Sequence, residues 1–489
     1  MSKSISTPRL VFAALLTLLF AASLVSPAAE TDGGTKNTDS GVPTAPGEQR
    51  VTVDVKRRTT DKQWKLYETK LLEHLQEFAT KQVALSKYGG LKETTVEATG
   101  FFCAREIGGR WWLVDPEGCR FLTVGVCSVG TSPTENGREA LRERFGDETG
   151  WARATNATLW EMGYNTLGCW SQWEKFAVTQ RRLPYTTQSN FMSSYGKIRG
   201  GTYPKPGHTG YPNDCIFVFD PQFAEFCQKH ARERLSATKD DPYLLGHFSD
   251  NEMPFRHDLL DRYLSLDESD PGHQAAKKWC ADSGVKKGPN SFSAVDQEAF
   301  LEFVAGTYYR SVNQAIKKAD PNHLYLGSRF HGSDLKRAAV WKGAGPHVDA
   351  IAVNYYGAWT PDPQRMTNWV KWSGKPFFIT EWYAKGMDSG LGNVSGAGWT
   401  VKTQADRGKF YQNFTLGLLA HPGCVGWHWF KYMDNDPTNL RTDPSNRDSN
   451  KGFVSNTYQP WTPLVERMTA INRQVYPLRE FLSGRIGTP

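Results

Sequence analysis

The sequence predicts an α/β fold, a (β/α)8 TIM barrel with an N-terminal extension made of a helix and a β-hairpin. Three observations predict it. Eight short strand-like apolar runs follow one another, helix-like stretches separate them, and the longest Gly- and Pro-rich connections come after strands. The runs are FLTVGV (121–126), YNTLGCW (164–170), LPYTTQSNF (183–191), LLGHFSDNE (244–252), HLYLGSRFH (323–331), VDAIAVNYYG (348–357), KPFFITEW (375–382) and CVGWHWFKY (424–432). Continuous apolar runs of this length suit parallel strands buried on both faces. Eight of them alternating with helices close into a barrel. The rival is a doubly wound open sheet, which calls for a Gly-rich phosphate loop after the first strand, and none follows FLTVGV. The chain has no internal repeat.

Ahead of the barrel, residues 1–29 read as a secretory signal. Lys3 and Arg9 give the positive end, Leu10 to Val25 the apolar core, and Pro27-Ala28-Ala29 the small residues, with cleavage expected near Ala29. The apolar run is short for a membrane span and no second one occurs. A secreted or periplasmic protein without a membrane span is therefore expected. Residues 30–50 are rich in Thr, Gly, Ser and Pro, and a flexible linker is expected over 30–60. An N-terminal helical extension follows over 61–108, because Trp64, Leu66, Tyr67, Leu71, Leu72, Leu75 and Phe78 recur at three- and four-residue spacing. The catalytic barrel is expected over 109–489. It opens with GRWWLVDPEGCRFLTVGV, a hairpin turning at Asp115-Pro116-Glu117-Gly118. Long connections at 193–216, 252–296 and 383–404 follow the third, fourth and seventh strands. They should wall a cleft on the C-terminal face, where barrel enzymes build their sites.

With 489 residues the chain is long enough for one large domain with additions, and 39% hydrophobic residues supply a sizeable core. Aromatics reach 13%, with 17 Trp. Such an excess serves core packing and also offers flat platforms for sugar rings, whose faces are apolar and whose edges are polar. The net charge of +7 is mild, and no basic run is interleaved with aromatics, so nucleic acid is not an expected partner. Weak attraction to an acidic polysaccharide is permitted. The eight cysteines form no CxxC, so a Cys metal site is not expected. Export would allow a disulfide, with Cys215 and Cys227 as the candidate pair, while Cys127 and Cys169 read as core thiols.

The chemistry rests on two glutamates, each just past a strand. Glu252 follows Asn251 at the end of the fourth run, and Glu381 ends the seventh. These strands face each other across a barrel mouth, so both carboxyls reach one central sugar. One carboxyl can protonate a leaving sugar oxygen while the other attacks the anomeric carbon or activates water. Other strand ends supply candidate substrate-binding residues: Trp170 and Trp173 after the second run, Arg329 and His331 at the fifth, Asn354, Tyr355 and Tyr356 at the sixth, and His428, Trp429 and Lys431 at the eighth. An unpaired buried guanidinium is costly, which favours a site or a salt bridge for Arg329. GVCSVG lacks the spacing of a nucleophile elbow, and no HExxH is present. No cofactor is required and no catalytic metal is expected. MDNDPTN at 433–439 is a candidate loop for a structural ion, with a solvated polar loop as the alternative.

Asn-Glu at the fourth strand with Glu at the seventh resembles the large clan of retaining barrel glycosidases, clan A. That resemblance implies Glu252 as acid/base, Glu381 as nucleophile, and Asn251 as ligand of the hydroxyl beside the anomeric carbon. It further implies a sixth-strand tyrosine on the nucleophile, taken as Tyr355, and an eighth-strand tryptophan flooring the sugar, taken as Trp429. Within the clan the chain is most similar to the β-agarase family, glycoside hydrolase family 50. The matching stretches are WWLVDPEGCRFLTVGVCSVG, GYNTLGCWS, DPYLLGHFSDNE, YLGSRF and VGWHWFKYMD with KGF further on. The family implies action on β-1,4 links of agar. EWYAKGMDSGLGN after the second glutamate departs from the family pattern, so another β-linked polysaccharide stays open. So do transglycosylation and a non-catalytic carbohydrate-binding role.

Overall fold

The structure, a computed structural model, describes residues 50–285, 288 and 291–485. The expected leader and most of the expected linker lie outside them. All eight runs form strands: Thr123–Val126, Thr166–Leu167, Tyr185–Gln188, Leu244–Phe248, Leu324–Tyr325, Ile351–Asn354, Phe377–Glu381 and Cys424–Trp429. They make one sheet in the order fifth, fourth, third, second, first, eighth, seventh, sixth, with every pairing parallel. The fourth, sixth, seventh and eighth strands are buried at every residue, which is why each reads as an unbroken apolar run. Helices Glu148–Glu161, Phe223–Leu235, Ala294–Ala319, Pro363–Ser373 and Gln404–Ala420 lie between strands.

Two findings overturn the plain TIM barrel with a helical extension. First, the sheet has two ends and forms an eight-strand parallel half-barrel. The fifth and sixth strands share no ladder and meet only at an isolated bridge between Phe330 and Val353. The fifth strand is two residues long because the chain leaves the extended conformation at Gly327 (φ 75°) and again at Arg329 (φ 57°). Second, the extension is β-structured. Val51–Lys56 pairs antiparallel with Lys65–Thr69, and its other edge pairs with Trp399–Val401, which pairs with Ala384–Gly386. A second sheet joins Leu91–Thr95, Cys119–Phe121, Arg110–Val114 and Cys103–Ile107. It contains the expected hairpin, whose turn is closed by the Gly118 N–H on Asp115 O at 2.9 Å.

The expected helix over the start of 61–108 fails because its backbone donors have better partners elsewhere. The Lys70 N–H donates to Asn413 Oδ1 at 2.9 Å, the Leu72 N–H to Gln412 Oε1 at 3.1 Å, and the Lys81 N–H to Gln474 Oε1 at 2.8 Å. Tyr67 packs 5.7 Å from Trp359 and 5.4 Å from Trp399, while Leu66 of the same apolar stripe is 68% exposed. Tertiary contacts override the local period here. The N-terminal strands also pin the loop after the seventh strand, since Arg57 Nη1 donates to Ala397 O and Thr59 Oγ1 to Asn393 O.

All eight cysteines are free thiols, so Cys215 and Cys227 are not joined. In the 433–439 loop, Asp434 is buried and accepts from Asn450 Nδ2, the Gly452 N–H and Trp461 Nε1. Protein donors thus fill its acceptor sites. Among the described residues no helix is long and apolar enough to cross a membrane.

Candidate active site

Glu252 and Glu381 line one cavity of about 410 Å³ at the C-terminal ends of the strands, together with Asn251, Trp170, Tyr356, Phe430, Lys431 and Lys451. Five non-glycine residues just past strand ends have positive φ: Ser128 (53°), Trp170 (60°), Asn190 (54°), Glu252 (52°) and Arg329 (57°). They follow the first five strands in order. Each such residue costs on the order of 1–3 kcal/mol, and such strain concentrates at functional sites. It re-aims each side chain as the strand ends.

Arg329 organises the pair. Its side chain is fully buried, and Nη2 lies 2.9 Å from Glu381 Oε1. Nη1 donates to Asn251 Oδ1 at 3.0 Å, and Nη2 donates also to Thr380 O at 3.0 Å. One guanidinium therefore fixes Glu381 and the residue before Glu252. The Trp170 ring covers it at 4.3 Å, and Trp170 is still 43% exposed, which makes it a platform at the cavity wall. The Tyr356 hydroxyl donates to Glu381 Oε2 at 2.8 Å. Asn354 Nδ2 donates to Glu252 Oε1 at 2.8 Å, and Thr380 Oγ1 donates to Asn354 Oδ1 at 2.9 Å, fixing the orientation of the amide.

A hairpin, Tyr203–Lys205 with His208–Gly210, roofs the cavity at its Pro206-Gly207 tip. Gly207 O accepts from Asn251 Nδ2 at 3.3 Å, and the Gly207 N–H donates to Asp443 Oδ2 at 2.8 Å. The tip thus ties the fourth-strand end to the loop after the eighth strand. Gly207 has φ 85°, a conformation that glycine adopts without a Cβ penalty.

The electrostatics of the two carboxyls differ. Burial alone would raise Glu252, but His331 and His208, with the bond from Asn354, outweigh it and hold Glu252 down at about 2. Burial raises Glu381, against the pull of Arg329, and the charge of Glu252 raises it further. The donors on Glu381, a guanidinium and a phenol, are nevertheless those that favour the carboxylate. Across the cavity, burial lowers Lys451 to about 7 and Lys431 to about 8.

The structure brings Asn251, Glu252, Glu381, Trp170, Arg329, His331, Asn354 and Lys431 together and leaves four candidates elsewhere. Trp173 stacks on Tyr185 at 4.4 Å and an 11° interplanar angle, outside the cavity. Tyr355 is buried against Trp369 and Phe414, and its hydroxyl accepts from the Asp362 N–H. Trp429 is buried, donates to Lys451 O, and meets Trp382 edge-on. His428 sits inside the sheet with Nε2 2.8 Å from Thr123 Oγ1. Gly125 and Gly168 make room for it, since a Cβ on either would lie within 2.4 Å and 2.8 Å of its ring. Burial lowers His428 to about 3, so it is a neutral core histidine. Tyr356, not Tyr355, bonds Glu381, and Phe430, not Trp429, lines the cavity. Sequence reading also missed His208 beside Glu252, and Tyr383 and Lys451, which line the cavity. The KGF motif contains Lys451 and was a usable signal; no periodicity marks the other two.

No family model matches the chain. Among curated proteins it is similar to β-agarase B of Vibrio sp. (strain JT0107), 27% identical over 81% of this chain and 50% of that protein. It is also similar to β-agarase A of the same strain, 26% identical over 77% of this chain and 46% of that protein. The chain thus spans about half the length of these curated relatives. Among solved structures, the one titled BpGH50 superposes with a TM-score of 0.79 at 29% identity, covering 90% of this chain and 98% of that one. The chain is thus related in sequence to the β-agarases and shares its fold with the structure titled BpGH50.

Proposed function

We propose that the protein is an exported glycoside hydrolase that cleaves an agar-type galactan with retention, Glu381 acting as nucleophile and Glu252 as general acid/base. The observation that carries this reading is the clamp on Glu381, whose two oxygens meet Arg329 and Tyr356 while Arg329 also holds Asn251 beside Glu252. In the first step Glu381 attacks the anomeric carbon, the glycosidic bond breaks, and Glu252 gives the departing oxygen a proton, which it can hold only where the neighbouring imidazoles of His208 and His331 carry no charge. In the second step Glu252 takes a proton from water, which attacks the same carbon and releases Glu381. Trp170 would serve as a sugar platform, and Asn251 would bind the neighbouring hydroxyl. The agarase relatives support the polymer class.

The test is product release from agarose, porphyran, carrageenans and β-glucans, with the first anomer followed by NMR. Agar oligosaccharides released first in the β form support the reading. First release in the α form removes the covalent step, and release only from another polymer removes agar. Binding without release points to a carbohydrate-binding protein.

Two further outcomes are expected. Tyr356→Phe removes a hydrogen bond to a charged acceptor, worth about 1.5–3 kcal/mol. Steady-state kinetics should show kcat/KM falling by roughly 10- to 150-fold, while Tyr355→Phe leaves it within about twofold. The second concerns pH. Positive charge on His208 and His331 favours the Glu252 carboxylate, so replacing them (His208→Gln, His331→Asn) favours its protonated form. A general acid then keeps its proton to higher pH, and the basic limb of kcat/KM moves up. An unmoved limb would separate the imidazoles from the acid function.

A further inference from the structure

Two imidazoles stand near the Glu252 carboxyl, and one of them faces the oxygen that does not bond Asn354. His208 Nδ1 stands 3.6 Å from Glu252 Oε2, and the His208 and His331 ring centroids lie 5.7 Å apart. One ligand atom from each of the three residues lies within 4.8 Å of the other two. A gap of 3.6 Å is too long for a hydrogen bond. It is close to the separation of two ligand atoms on one small cation, because tetrahedral bonds of about 2.0–2.1 Å place ligands roughly 3.3–3.4 Å apart. His208 Nδ1 is buried without a hydrogen-bond partner. Asn354 Nδ2 on Oε1 supplies the outer contact that orients a ligating carboxylate. Asp334 Oδ2 stands 3.7 Å from His331 Nδ1 as a further outer carboxyl.

The other His-Asp-His group in the fold shows what a purely structural cluster looks like. His247 Nδ1 meets Thr187 Oγ1 and its Nε2 meets Asp320, while His323 Nδ1 meets Asp320 and its Nε2 meets Asp241 O, all at 2.7–3.0 Å. Every ring nitrogen there already has a partner at hydrogen-bond distance, and all three residues are fully buried. The Glu252 group differs on both counts, since Glu252 lines the cavity and His208 Nδ1 has no hydrogen-bond partner.

The geometry points to a site for a divalent transition cation, with His208 and His331 nitrogens and Glu252 Oε2 as ligands and the fourth position open to the cavity. Two imidazoles and one carboxylate form a donor set suited to Zn2+. The ion would bind where the proton of Glu252 must sit, and it would hold the Tyr203–Gly210 hairpin against the fourth-strand end. Binding is independent of the proposed function; inhibition by the ion rests on it.

The test is titration of the metal-stripped full chain with Zn2+ by calorimetry, and with Co2+ by visible absorption. One equivalent should bind, with d–d bands of a four-coordinate nitrogen–oxygen site. His208→Ala and His331→Ala should each weaken Zn2+ binding at least tenfold, and Glu252→Gln should do the same, with thermal unfolding confirming that each variant folds. Absence of binding at millimolar Zn2+ overturns the site. So does undiminished binding in the His208 and His331 variants. Zn2+ should also inhibit turnover, reversibly on chelation. Binding at these residues with no effect on turnover would support the site and count against the proton-transfer role of Glu252.

Discussion

Glu381→Gln is expected to abolish turnover, lowering kcat on the cleaved polymer by about 10⁴-fold or more, as loss of a nucleophile typically does. The amide keeps the shape, and with its oxygen towards Arg329 and its NH2 donating to the Tyr356 hydroxyl, which can also accept, the site should stay assembled. Arg329 loses an anion but keeps its bonds to Asn251 Oδ1 and Thr380 O, which limits the loss of stability. Glu252→Gln should behave differently. Removing general acid help costs about 10²- to 10⁴-fold on a poor leaving group. With an activated aryl glycoside, whose leaving group needs no proton, the first step of the Glu252 variant should recover and the Glu381 variant should not. Initial rates on both substrate types separate the roles. If the Glu381 variant recovers on the aryl substrate and the Glu252 variant does not, the two assignments are exchanged.

The two carboxylates and the eight strands were legible for the same physical reason. A parallel strand buried on both faces has little choice but an apolar run, so LLGHF and FFIT announce themselves and the polar residue that follows stands out. The aromatic neighbours were not legible to within one residue. The ladder between the sixth and seventh strands shifts after Val353, and the extra residue, Thr380, lies on the seventh strand. Side chains alternate along the sixth strand, so Asn354 and Tyr356 face the two carboxyls and Tyr355 enters the core. NYYG alone does not say which of its two phases faces the cavity. His208 was invisible because it belongs to a hairpin in a Gly- and Pro-rich connection, and its importance comes from the tip folding over Glu252. The stripe over 64–78 misled in the opposite sense. Its spacing is helical, but side-chain amides of Gln412, Asn413 and Gln474 capture the backbone donors, and those partners lie more than three hundred residues away in sequence. The seam beside the fifth strand depends on positive φ at Gly327 and Arg329, and the sequence hints at only the first.

Arg329→Met is the substitution expected to damage both stability and activity. The guanidinium is fully buried and bonded to Glu381, Asn251 and Thr380. Breaking a buried ion pair by removing one partner typically costs about 3–5 kcal/mol, because the other charge is left uncompensated. Glu381 can escape that cost by taking a proton. Arg329 lowers its pKa while burial and Glu252 raise it, so removing the cation moves it further up. A nucleophile must be ionised, and the acid limb of kcat/KM should therefore shift to higher pH, with a deep loss at neutral pH. The stability loss has the matching sign. A Glu381 pKa raised further above its unfolded value makes folding bind a proton, so the destabilisation is smallest at low pH and grows as pH rises through the folded pKa. The double variant Arg329→Met, Glu381→Gln has no buried charge to strand, and it should be more stable at neutral pH than Arg329→Met alone. Thermal unfolding of the four proteins across pH gives the coupling directly. Additive losses would mean that Arg329 is held by Asn251 and Thr380 alone, and that its contact with Glu381 contributes nothing to the site.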